Sequence, residues 1–204
     1  MPHHGCKTVL FTDVYNLFKF PALTDRGGPF HSHKVAATIR QLRDLKLKIP
    51  CFDTSLDISA VGSAVDTART LIEVAHNTRV PYVAVCALND DENTVVSAIE
   101  SLLPSAEDMG VVLLIKTCGI YSDRFASDSL AALWDVHHPY RDHGETGDDT
   151  IKNLGSYVCH VHMRDSDDTG AYQLIGEGTM PIDSVMRALS SVNYDAFISL
   201  EWKP

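Results

Sequence analysis

Tyr157-Val158-Cys159-His160-Val161-His162 is a short apolar run that stops on an imidazole. Two further runs in the last third of the chain have the same build: Ala132-Leu133-Trp134-Asp135 and Phe197-Ile198-Ser199-Leu200-Glu201. A fourth, Val111-Val112-Leu113-Leu114-Ile115, stops on Lys116. Runs this short and this apolar read as strands buried on both faces, the pattern of a parallel sheet. In parallel α/β sheets the chemistry gathers at the carboxyl ends of the strands. Asp135, His162 and Glu201 are therefore expected to converge on one site, with Lys116 pointing into it.

Working outward, strand-like and helix-like stretches alternate along the chain. Lys7 to Thr12 is the first strand candidate. Val35 to Leu47 follows with helical spacing, its stripe formed by Val35, Ile39, Leu42 and Leu45. Ile49 to Thr54, Pro81 to Ala87, Val111 to Lys116, Ala131 to Asp135, Tyr157 to Met163 and Ala196 to Trp202 complete the strands. Helices are expected from Val61 to His76, with Ser63 and Asp66 as a capping pair, and from Asn89, as a cap, to about Glu107. Pro181 suits the first turn of a last helix that ends near Val192. Val14 to His33 has no clear period and reads as a loop.

Such alternation predicts one α/β domain spanning residues 1–204. Ligand-type residues on several strand ends favour a (β/α) TIM-type barrel over an open sheet, which builds its site at one switch point. No G-x-G-x-x-G and no P-loop motif is present, so nucleotide binding has no support. The barrel is expected to be incomplete. About seven strands are counted where a full barrel has eight, and the link from Ile120 to Leu130 is short for a crossover. An incomplete barrel leaves a sheet edge exposed, and homo-oligomerisation through it is expected.

The 204 residues are 45% hydrophobic, enough for one sizeable core. No stretch has the length of a membrane span and the N-terminus lacks a signal-peptide core, so a cytoplasmic protein is expected. The five cysteines are scattered and form no C-x-x-C pair, which fits small core residues in a reducing compartment. A net charge of -10 repels phosphate backbones and anionic lipids, which argues against nucleic-acid and membrane partners. A small anionic substrate stays compatible with it, because a site can be locally basic.

Each candidate segment has a structural reading beside the chemical one. Asp135, His137 and His138 can be a polar strand end leading into a loop. His160 and His162 share a strand face and can be one core and one exposed histidine. Glu201 is costly to bury unless it is paired or metal-bound, and a structural ion pair would suffice. Three such strand ends in order make a stronger signal than any one alone. Carboxylates with imidazole suit Mn, Co, Zn or Mg.

Leu-Trp-Asp135-Val-His-His138-Pro-Tyr, His-Val-His162-Met-Arg164-Asp-Ser, Gly176-Glu-Gly-Thr-Met-Pro-Ile and Ile-Ser-Leu-Glu201-Trp resemble the sugar phosphate isomerase/epimerase family, the xylose isomerase-like TIM barrels. The resemblance runs from about Val35 to the end, and residues 1–33 match poorly. It implies a divalent metal held by Glu, Asp, His and Glu from four strand ends, with Asp135, His162 and Glu201 in the last three places. It also implies that His138 and Arg164 contact a sugar or sugar-phosphate substrate. The first glutamate falls at Lys116, where family members commonly read Glu-Thr and this chain reads Lys116-Thr117.

The implied activity is isomerisation or epimerisation of a sugar. A proton α to a carbonyl is removed while a metal stabilises the enediolate, and carboxylates such as Glu201 move protons. Lys116 would impair this chemistry. Two carboxylates and an ammonium carry the same net charge as three carboxylates and a dication, so the lysine is expected to replace the metal in part. Alternatively, Lys116 snorkels to solvent and leaves a three-ligand site. A lysine acting as base or Schiff-base nucleophile ranks lowest. A second reading is a non-catalytic barrel descendant that binds a sugar-like ligand or a partner. A third, an abasic-site endonuclease on the same fold, is disfavoured by the net charge and by the few candidate ligands.

Overall fold

The computed structural model describes residues 35–60, 62–88, 91–116 and 127–201. The strand expected over residues 7–12, the loop over 14–33 and most of the link 120–130 lie outside them. The chain divides into two compact units, the first reaching Leu113 and including 127–129, the second comprising 114–126 and 130–204.

The first unit holds α1 (Val35–Asp44), β1 (Cys51–Asp57), α2 (Ala64–Thr78), β2 (Tyr82–Cys86) and α3 (Glu92–Met109). β3 (Val112–Lys116) begins in this unit and ends in the other. β1 and β2 pair in parallel, with Phe52 opposite Val83 and Asp53 opposite Ala84. The apolar faces of α2 (Leu71, Ile72, Ala75) and α3 (Val95, Ile99, Leu102) are fully buried, as their periodicity demands. The cap of α3 is Asp91, whose carboxylate accepts from the Asn93 N–H at 3.2 Å; Asn89, the expected cap, lies outside the described residues. Ser63 precedes α2 without making a side-chain cap, and Asp66 instead pairs with Arg69 at 2.9 Å.

The second unit continues with β4 (Leu130–Asp135), α4 (His137–His143), α5 (Gly147–Leu154), a 3₁₀ turn (Gly155–Tyr157) and β5 (Val158–Met163). The hairpin β6 (Asp165–Ser166) and β7 (Tyr172–Gln173), α6 (Ile182–Ser191) and β8 (Phe197–Leu200) follow. β4, β5 and β8 are parallel neighbours, with Asp135 opposite His162 and His162 opposite Ser199. Trp134, Val161 and Met163 pack with Ile151 and Leu154 of α5 and with Val185, Ala188 and Leu189 of α6. Gly147 opens α5 where a β-carbon would lie 3.2–3.3 Å from Ala188, Trp134 and Val185, so a larger residue there would make these neighbours give by a few tenths of an ångström.

The strands form a six-stranded sheet in the order β1-β2-β3-β4-β5-β8, an incomplete TIM-barrel-like α/β fold among the described residues. Every expected strand from Cys51 onward is present within a few residues. His137 departs from expectation. The strand stops at Asp135 and His137 opens α4; Val136 is at the cap position, and Asp135 Oδ1, one residue earlier, accepts from the N–H groups of His137 and His138 at 2.9 and 3.3 Å, satisfying two of the helix's free donors.

Candidate functional site

Adjacent strand ends bring Asp135, His162, Arg164 and Glu201 together. His162 Nδ1 and Glu201 Oε1 are 2.9 Å apart. The Glu201 backbone N–H donates to the Met163 carbonyl at 2.9 Å, which extends the β5–β8 pairing to the carboxylate itself. Arg164 Nη2 donates to Asp135 Oδ2 at 2.7 Å, and Nη1 lies 3.6 Å from Glu201 Oε2. Burial alone would raise the Glu201 pKa. The hydrogen bond from His162 and the charges of His162, Arg164 and Lys116 outweigh it and hold the carboxyl down at about 2. Glu201 is therefore ionised at neutral pH, and the Lys116 charge reaches it.

Two histidines here serve structure. His160, fully buried, pairs through Nε2 with Ser199 Oγ at 2.8 Å. Burial, and then the neighbouring His162, push its pKa down to about 3, so it is neutral. His137 Nε2 lies 3.0 Å from Ser166 Oγ, and burial, reinforced by Arg164, lowers its pKa. His138 does not join the cluster: it is exposed on α4 and bonds Asp142 Oδ2 at 3.2 Å.

Sequence reasoning passed over Asp165. Its buried carboxylate accepts four backbone N–H groups: Ser166 (2.8 Å) and Met180 (3.1 Å) at Oδ1, Gly176 (2.8 Å) and Gly178 (3.1 Å) at Oδ2. It also passed over Arg141, which donates to the Ser166 carbonyl at 2.6 Å and to Thr179 Oγ1 at 2.7 Å. Together they lock the loop 174–180 to the start of the hairpin. The available signal was Gly176-x-Gly178, two residues that let a backbone come close to a partner.

In chemical type, the donors of His162, Glu201 and Asp135 fit a borderline or hard divalent ion. An ionised glutamate suits that role. The Arg164 guanidinium on Asp135 competes with it.

The family model for the xylose isomerase-like TIM barrel matches residues 11–204. The chain belongs to that family. Among solved structures it is similar to the IOLI protein with a bound zinc atom, at TM-score 0.77 and 14% identity, covering 97% of this chain and 80% of that one. A D-tagatose 3-epimerase-like protein gives TM-score 0.73 at 17% identity, over 96% of this chain and 82% of its own. The probable 3-DHS dehydratase AsbF from Bacillus anthracis gives 0.72 at 15%, over 96% and 92%. At these identities the likeness is one of fold. Among curated proteins none matches the chain.

Family membership thus places the chain among barrels that include epimerase-like and dehydratase-like proteins. A zinc-bound relative together with Asp, His and Glu donors suggests a divalent metal. No described helix is long and apolar enough to cross a membrane.

Proposed function

We propose that this chain is a cytoplasmic isomerase or epimerase acting on a small sugar or sugar phosphate. In this reading His162, Glu201 and Asp135 hold a divalent ion (Mn, Co, Zn or Mg), which would polarise the substrate carbonyl. The observation that carries it is the His162–Glu201 pair, 2.9 Å apart, beside Asp135 on a neighbouring strand end. The remaining chemistry falls to the chain. Arg164 donates hydrogen bonds and offers a cation to a substrate oxygen or phosphate. Glu201 takes the α-proton only once its bond from His162 is relaxed, since a carboxyl held at about 2 is a weak base at neutral pH. Lys116 impairs the reaction by adding a cation where the family places a ligand. Residues 1–204 act as one barrel domain in this reading, with homo-oligomerisation through the sheet edge.

A second reading has support from Arg164. With its guanidinium on Asp135 at 2.7 Å and near Glu201 at 3.6 Å, the carboxylates are already neutralised, as in a non-catalytic binding descendant. One experiment separates the two. The protein is incubated with a panel of ketoses and their phosphates in deuterated water, with and without MnCl2, and followed by NMR. Metal-dependent deuterium incorporation next to the carbonyl supports the enzyme. No incorporation for any sugar, with ligand-induced shifts retained, supports the binding protein.

A further inference from the structure

Arg164, which follows β5, is long and only 7% exposed, and its Nε is buried without a hydrogen-bond partner among the described residues. The orientation is set at the Nη end. There Nη1 donates to the Tyr172 hydroxyl at 3.0 Å, and the Arg164 Cζ lies 5.7 Å from the centre of the Tyr172 ring. We propose that Tyr172 is a positioning residue of the site, holding the Arg164 guanidinium on Asp135 and off Glu201. The proposal rests on the functional reading above, which gives the carboxylate of Glu201 its use.

The geometry supplies the reason. Nη1 stands 3.0 Å from the tyrosine oxygen and 3.6 Å from Glu201 Oε2. The guanidinium is a rigid planar fork, so anchoring one nitrogen fixes the other. Without the hydroxyl, Glu201 Oε2, already 3.6 Å away, is an acceptor within reach of Nη1. Its approach would tighten the 3.6 Å ion pair with a carboxylate that the functional reading uses as a ligand and base.

Tyr172 is itself held independently of Arg164. It pairs with Ser166 in the β6–β7 hairpin. The turn between the strands is closed by Asp167 Oδ1, which accepts from the N–H groups of Thr169 and Ala171 and from the Thr169 hydroxyl. Asp165, next to Ser166, is tied down by its four backbone bonds. The hairpin is thus a rigid arm, and the hydroxyl at its far strand is the part that reaches the site.

The test uses the full chain labelled with 15N-arginine, the Arg164 side-chain signals being assigned with Arg164→Lys. Expected is slow guanidinium rotation for Arg164 in the unmodified protein. It should be lost in Tyr172→Phe, which keeps the ring, and partly regained in Tyr172→Gln, which returns an acceptor. Mn(II) affinity, read from free Mn(II) by EPR, should fall about tenfold in Tyr172→Phe, because the guanidinium then burdens Glu201 as well as Asp135, the scale being that of lost outer-shell support, with an unchanged melting temperature. Identical Arg164 signals in the unmodified chain and Tyr172→Phe overturn the proposal. If the unmodified chain binds no Mn(II), the metal reading fails, and the arginine signals alone decide the role of Tyr172.

Discussion

Asp165 and Gly178 meet with no room for a side chain between them. The Gly178 N–H donates to Asp165 Oδ2 at 3.1 Å, and a β-carbon on Gly178 would collide with the Asp165 carboxylate and the Ser166 carbonyl. Glycine at 178 is thus required by the carboxylate that faces it.

The first prediction tests that pair by substitution on each side. Asp165→Asn turns a donor toward backbone N–H groups, and a buried unsatisfied donor costs about 1–3 kcal/mol. Gly178→Ala overpacks the same contact at a similar cost, about 1–3 kcal/mol. Urea unfolding should show both variants destabilised by about 2 kcal/mol or more. A Gly178→Ala midpoint equal to that of the unmodified chain would show that the loop docks differently.

Lys116→Glu should strengthen divalent binding. An ammonium has no lone pair for a metal and repels it, and the Lys116 charge already bears on Glu201. A glutamate supplies an anionic ligand, and even outer-shell changes alter metal affinity by about 10–100-fold. Calorimetric titration with Mn or Co should therefore give at least about tenfold tighter binding for Lys116→Glu. Equal affinities would place Lys116 outside the site.

A pH effect is expected at the start of α5. The Thr146 hydroxyl and backbone N–H hold Asp149 in a capping box and lower its pKa from 3.8. A carboxylate with a depressed folded-state pKa stabilises the fold above its unfolded value, and that contribution is lost as pH falls through the folded one. Thr146→Ala should lower the unfolding midpoint at pH 7, with the difference from the unmodified chain shrinking as pH drops below 3.8. A constant difference across that range would rule out the carboxylate's part.

Cys159 offers a chemical check on the packing of β5. Burial raises its thiol pKa above 9.0, and the thiolate is the species that alkylates. Peptide mapping after iodoacetamide treatment should show Cys159 labelling slowly at about pH 8 and still accelerating above about pH 9. A rate matching that of a small free thiol would mean the strand is more open than described.

The legible part of the fold was its parallel strands. Val158–Met163 and Leu130–Asp135 lie buried, so burial wrote itself into the sequence as apolar runs. Their ends hold Asp135 and His162; Glu201 follows β8, an apolar run whose Phe197 and Leu200 are nevertheless exposed. The hairpin was not legible, because Tyr172 pairs through bonds set by Asp165 and Asp167 rather than by apolar alternation. α4 was hidden for a similar reason: a ligand-type residue, Asp135, also accepts from its first two N–H groups. The capping box of α5, Thr146 to Asp149, could have been read from its spacing.

Asp165 recognises its loop only through backbone N–H groups, and this separates the loop's shape from most of its chemistry. Leu174, Ile175 and Glu177 are exposed and lend no side chain to the lock. They can be exchanged freely for residues of other size or charge while the glycines and Asp165 keep the path of the chain. A library restricted to those three positions would vary the loop's surface chemistry without asking the barrel to refold.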